Sequence, residues 1–213
     1  PTANALGTGL NGWCRTLTID ATNNVSAGGD FTSAGGVANT TYIAMWDGSI
    51  WYAMSTGLGA RAMALASAPN GDLFIGGEFT NADGVNGDYL CKWSISSNAF
   101  EMVGQVELNN IVTALAFGAT GYLYAGGAFT NAGGNANADY IAKWNGSQWE
   151  SLGSGTNGNI WDLKVESGKV YATGDFTTAG SLALTDRVAV WTNGAWQPLD
   201  IDLPGTATVY AVL

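Results

Sequence analysis

One nine-residue segment returns four times along the chain: GGDFTSAGG from Gly28, GGEFTNADG from Gly76, GGAFTNAGG from Gly126 and TGDFTTAGS from Thr173. Its phenylalanines, Phe31, Phe79, Phe129 and Phe176, stand 48, 50 and 47 residues apart. Behind each comes a short apolar run ending in tryptophan: YIAMW at Trp46, YLCKW at Trp93, YIAKW at Trp144 and RVAVW at Trp191. A second aromatic follows at Trp51, Phe100, Trp149 and Trp196. Self-similarity at such a period means that each unit is one supersecondary element, able to bury its apolar face only against a neighbour.

Each unit reads as four short strands. In the third they are IVTALAF (a), YLYAGGAFT (b), YIAKW (c) and QWESLG (d). Short β-branched and aromatic runs bounded by Gly, Asn and Asp are the strand signature, and no window keeps a helical period. Asn70-Gly71 joins a to b, while Asp47-Gly48, Asn145-Gly146 and Asn193-Gly194 join c to d. Such pairs accept the positive φ of tight hairpins. A five-residue spacing sets Trp144 opposite Trp149, and likewise in blades one and four, whereas blade two has two extra residues before Phe100. One side of strand a is expected to carry Cys14, Thr16 and Thr18 in blade one and Ala62, Ala64 and Ala66 in blade two. The fold expected is all-β: a β-propeller of four-stranded antiparallel blades at 12–58, 59–107, 108–156 and 157–203. Residues 1–8 match blade three at SLGSGTNG and read as a lone strand d, and 208–213 read as a lone strand a. Four complete blades plus partial fifth-blade strands at the termini lead us to expect a longer parent chain or completion by another copy.

Composition narrows the function. The 213 residues carry a formal charge of −10, with 7 basic against 17 acidic side chains and no histidine. Without a basic stripe, such a surface repels nucleic acid and anionic membranes. No apolar stretch is long enough for a transmembrane helix, so membrane insertion is not expected. The first ten residues lack the charged and apolar regions of a signal peptide, so an export signal would lie upstream of them. Lacking histidine, the chain lacks Ser-His-Asp, Cys-His and histidine-metal chemistry. No catalytic site, metal site or cofactor is read. Cys14 and Cys91 lack metal spacing and are expected to be buried free thiols.

The pattern GG-x-F-T-x-A-G-G, Y-I-A-x-W, N/D-G-S-x-W resembles a repeat of secreted bacterial propeller-like proteins. It is also similar to the fungal cortical polarity-marker family and, distantly, to Kelch repeats. The resemblance covers nearly the whole chain and implies surface or extracellular interaction rather than chemistry. The expected function is a non-enzymatic extracellular or cell-surface structural or adhesive module, able to self-associate. The alternative is a carbohydrate-binding, lectin-like propeller. The partner expected is a protein or a glycan.

Aromatics that repeat in every blade read as core, since each buries roughly 150–250 Å². Ligand residues are therefore sought where blades differ. Those are Trp13, Arg61, Asn110, Asn159 and Trp161 at the start of strand a, expected at one channel mouth, with Asp162 and Lys164 in place of alanines. Asp30, Glu78 and Asp175 share one position, which is Ala128 in blade three. They are expected to accept backbone hydrogen bonds from their own b–c loops. The oxygen-rich loop 81–88 reads as a turn rather than an EF-hand.

Overall fold

The computed structural model describes residues 5–85, 87–105, 108–183 and 187–199. The chain divides into two compact units, Pro1–Val103 and Gly104–Leu213. In the first, blade one consists of β1 (Cys14–Ile19), β2 (Val25–Gly29), β3 (Ile43–Trp46) and β4 (Trp51–Tyr52). Blade two consists of β5 (Ala62–Ser67), β6 (Leu73–Gly77), β7 (Leu90–Ser94) and β8 (Ala99–Met102). In the second unit, blade three holds β9 (Val112–Phe117), β10 (Leu123–Gly127), β11 (Ile141–Trp144) and β12 (Trp149–Ser151). Blade four holds β13 (Ile160–Glu166), β14 (Lys169–Gly174), β17 (Val188–Thr192) and β18 (Ala195–Pro198). A small hairpin, β15 (Thr178–Ala179) with β16 (Leu182–Ala183), sits in its b–c loop. Every blade is an antiparallel sheet in the order a-b-c-d. The one helical turn among the described residues is Ala132–Gly134.

The c–d register pairs Trp46 with Trp51, Trp93 with Phe100, Trp144 with Trp149 and Trp191 with Trp196. Their ring centroids lie 4.9–5.5 Å apart, within the range of attractive tilted pairs. Phe31, Phe79, Phe129 and Phe176 are fully buried, one to a blade. The first position of the YIAxW run takes a left-handed backbone, with φ of 66° at Tyr42, 64° at Tyr89 and 61° at Tyr140. This is costly for a bulky residue. Two main-chain bonds hold it: Tyr140 donates to the Phe129 carbonyl and accepts from Gly127 N–H. Tyr42 packs on a cluster shared by blades one and two, and Tyr140 on one shared by blades three and four.

The second glycine of the doublet is fixed by a clash inside its own blade. A Cβ on Gly29, Gly77, Gly127 or Gly174 would stand 1.9–2.3 Å from a strand-a carbonyl oxygen, that of Trp13, Arg61, Ile111 or Asn159. The carbonyl comes this close because strand a is bulged between Cys14 and Thr16, Ala62 and Ala64, and Ile160 and Asp162. The bulge corrects the expected sidedness of strand a. Ala62 and Leu65 both face Gly28 of blade one, so Ala62, Ala64 and Ala66 do not share a side.

Two further expectations change. Residues 5–8 run into a turn at 7–8 and form no strand d, while 1–4 and 208–213 lie outside the described residues. The match to blade three holds in the connection that follows strand d. Gly7 and Gly9 have φ of 58° and 75°, as Gly153 and Gly155 have 64° and 71°. Trp51 Nε1 donates to the Leu6 carbonyl at 3.0 Å, as Trp196 Nε1 does to Leu152 at 2.9 Å. Cys91 is buried, but Cys14 is exposed. The bulge turns Cys14 away from the side that carries Thr16 and Thr18 and leaves it exposed.

Gly127→Ala is expected to lower unfolding free energy by about 1–3 kcal/mol through forced overpacking. Gly59→Ala, whose new Cβ meets its nearest atom at 3.4 Å, is expected to change it by less than about 0.5 kcal/mol. Urea midpoints at constant m-value make the comparison. Burial pushes the Cys91 thiol far up, and partial desolvation raises Cys14 more modestly. With an alkylating reagent at pH 8, Cys14 is expected to label in the native protein and Cys91 only after unfolding, read by intact mass.

Candidate functional site

The a–b register places each strand-a start against the residue after the glycine doublet. Asp30 N–H donates to the Trp13 carbonyl at 2.8 Å, Glu78 to Arg61 at 3.1 Å, Ala128 to Ile111 at 2.9 Å and Asp175 to Asn159 at 2.8 Å. Trp13, Arg61 and Asn159 are thus equivalent. Asn110 is one residue early, and its carboxamide oxygen caps Ile111 N–H at 2.9 Å.

In the first unit the rim residues form a connected ladder. Arg15, at the bulge, grips Asp30 with both arms of its guanidinium: Nε to Oδ1 at 2.8 Å and Nη2 to Oδ2 at 2.6 Å. Such bidentate pairs fix geometry as well as charge. The same guanidinium lies 5.9 Å from the Trp13 ring centroid, at the reach of a cation–π contact. Arg61 continues the ladder, its Nη1 3.7 Å from Asp30 and its Nε 2.8 Å from Glu78. Trp13, an outward-facing indole, ends the row, 74% exposed. The Arg15 hydrogen bond holds the Asp30 carboxyl below the usual carboxylate range.

The ladder corrects the expected backbone partners of these acids, because the guanidinium reaches the carboxylate first. The sequence did hold the signal. Blades one, two and four carry an acid and a nearby arginine, the last as Asp175 with Arg187 at 3.7 Å. Blade three has Ala128 in place of the acid. Arg15 was missed although Trp161, chosen in blade four, holds the same bulge position.

In the second unit the candidates do not form such a row. Asn159 and Trp161 are half-buried, while Asn110 and Lys164 are exposed. Asp162 pairs with Thr173 and Lys164 with Tyr171, the positions of Ala114 and Ala116 in blade three. Asp162 Oδ1 accepts from Leu163 N–H at 2.9 Å. Asn109 and Asn157, passed over in favour of their neighbours, are staples. Asn157 accepts from Thr177 and Thr178 N–H at 2.8 Å, and Asn109 from Thr130 at 2.9 Å, as Asn11 does from Thr32 at 2.8 Å. In blade two, Asp83 instead accepts from the Ser55 and Thr56 hydroxyls, which ties the loop to the preceding connection.

Asp30→Asn is expected to cost on the order of 0.5 kcal/mol at pH 7, the worth of a good surface pair. The folded Asp30 titrates below its unfolded value of 3.8. The stabilisation is therefore complete above the unfolded value and lost as pH falls through the lower folded one. The urea midpoints of the two proteins should draw together as pH falls below 3.8.

No family model matches the chain, and no curated protein does. Solved structures do. A catalytically inactive histidine-to-alanine virginiamycin B lyase from Staphylococcus aureus with quinupristin is 12% identical, with a TM-score of 0.56 over 89% of this chain. The extracellular domain of the putative one component system BT4673 from B. thetaiotaomicron is 12% identical, with a TM-score of 0.52 over 84% of this chain. A putative gluconolactonase is 14% identical, with a TM-score of 0.50 over 84%. The chain spans 56%, 21% and 59% of those three chains, respectively. At these identities the likeness shows the fold alone: an all-β chain of four-stranded β-propeller blades.

Proposed function

We propose that this chain is a non-enzymatic extracellular or cell-surface interaction module whose partner is a protein held at the Trp13–Arg15–Arg61 edge. The observation that carries the reading is the exposed Trp13 indole beside an arginine already locked on Asp30. Trp and Arg are the residues in which binding energy concentrates. Side chains fixed before binding lose less entropy when a partner arrives. The acids of the rim are committed to arginines, and Asp30 stays ionised at neutral pH, which suits an anchor rather than a proton donor. The lyase neighbour's printed name ties inactivity to a lost histidine, and this chain has none. For the location, the secreted-repeat resemblance and a neighbour named as an extracellular domain give support.

A second reading rests on the same indole. Trp13 can stack on the apolar face of a sugar while Asp30 and the arginines bond its hydroxyls, which would make the edge a lectin site. A protein array and a glycan array probed with the labelled chain separate the two. Protein spots lost on Trp13→Ala are expected, with at least a tenfold weaker affinity and an unchanged melting temperature. Glycan spots lost in the same variant would favour the lectin. Trp144→Phe, at a repeated core position, is expected to lower stability and leave binding intact. Binding that survives Trp13→Ala on both arrays would remove this edge as the site.

A further inference from the structure

Two blade-to-blade interfaces are built alike. In the first unit, Ala62 and Leu65 of β5 lie over Gly28. A Cβ there would stand 2.8 Å from Ala62 Cβ and 3.5 Å from Leu65 Cδ1. In the second, Ile160 and Leu163 of β13 lie over Gly126, at 2.5 and 3.1 Å from its added Cβ. The first glycine of these two doublets is thus the floor on which two side chains of the next strand a rest. Those side chains are covered: Leu65 is 7% exposed and Leu163 6%.

Cys14 and Leu17 hold the same register positions in β1, opposite Gly29 and Ala27 as Ala62 and Leu65 are opposite Gly77 and Ile75. Here they are open. Leu17 is 59% exposed and Ile19, beside it, 63%. The outer half of the same face is covered, with Gly7 against Trp46 and Leu6 bonded by Trp51. A contiguous apolar stripe of this kind marks an interaction surface, and the covered copies of these residues show what fits it.

We infer that the β1 face of blade one receives one further blade of this repeat, which sets the first glycine of its own doublet beneath Cys14 and Leu17. Segment 5–12 points to the route. It bridges Leu10 to Ala34, just as the connection out of blade one bridges Leu58 to Ala82. The incoming blade is one that enters through this connection. Blade four of a second copy does not match, because Thr173 stands where Gly28 and Gly126 leave room. The inference goes beyond the partner edge. Trp13 shares the register position of Arg61, whose side chain stays 40% exposed although β5 is covered by blade one. An added blade therefore leaves Trp13 reachable, and the two ideas fail separately.

The test grafts a copy of residues 108–150 directly before Ala5, so that Ala5 and Leu6 follow in the register of Ser151 and Leu152. Cys14 alkylation is expected to slow at least tenfold against the parent chain, with Cys91 unlabelled as proof of folding. Gly126→Thr in the added copy alone should restore the parent rate. Labelling of Cys14 at the parent rate in a folded graft overturns the inference. So does protection of Cys14 in the parent as concentration rises with a doubled mass in light scattering, since a second copy would then be the cover. Should the graft leave Cys91 reactive, a graft of residues 12–52 with Cys14→Ser in the added copy is read by the same outcomes.

Discussion

A main-chain carbonyl of strand a takes up the space where a side chain on the second glycine of each doublet would be, and this close approach organises the blade. It follows from the bulge at the strand start and leaves Gly29, Gly77, Gly127 and Gly174 no freedom to change. The same approach aims the carbonyl at the next N–H of strand b, so the following residue is held at the rim. There an acid meets an arginine of the bulge in blade one and of the strand start in blade two. The first glycine answers to a different constraint, the neighbouring blade. Blade four separates the two: it keeps Gly174 and replaces the first glycine with Thr173. Had one cause fixed both glycines, they would have changed together.

The blades were legible because their determinants are local and appear four times. Hairpin turns, opposed aromatics and the buried phenylalanines all follow from spacing within some twenty residues. What spacing misled was the face of strand a. Counting by twos put Cys14 with Thr16 and Thr18, but one bulged residue moves everything before it to the other side. Asn110 was chosen one residue before the strand start at Ile111, because position relative to strand a was known only to within a residue. Asn109 and Asn157 were passed over because the staple depends on a carboxamide meeting a loop about twenty residues away, which no single strand reveals. Arg15 was hidden because the rim was read along single strands. The correlation between an acid on strand b and an arginine near it becomes visible only when both strands are compared blade by blade.

Scarcity of charge gives these pairs their use. With 11% charged residues, most basic side chains are drawn into pairs: Lys92 with Asp72 and Glu101, Lys143 with Glu150, and the arginine ladder. Exposed pairs contribute little to stability, so their yield lies in direction. Asp30 fixes the plane of Arg15, Arg15 sits beside Trp13, and Arg61 carries the row into blade two. The result is an aromatic and two guanidinium groups set in one order on a chain that is otherwise acidic and weakly charged.

A repeat protein permits a distinction that a single-copy fold does not. Leu17 and Trp13 are both exposed on or beside β1, yet they are exposed for different reasons. Leu17 is the same residue as Leu65, Leu115 and Leu163 in the other blades, so its identity was set by the architecture. Its exposure marks architecture left uncovered. Trp13 stands where the other blades have Arg61, Ile111 and Asn159, so nothing in the architecture asks for an indole there. Its exposure has to be explained by something outside the blade. An exposed apolar residue that repeats is therefore the sign of an assembly face, and one that does not repeat is the sign of a binding edge. In this chain the two lie within five residues of each other, and on the two proposals they would meet different partners.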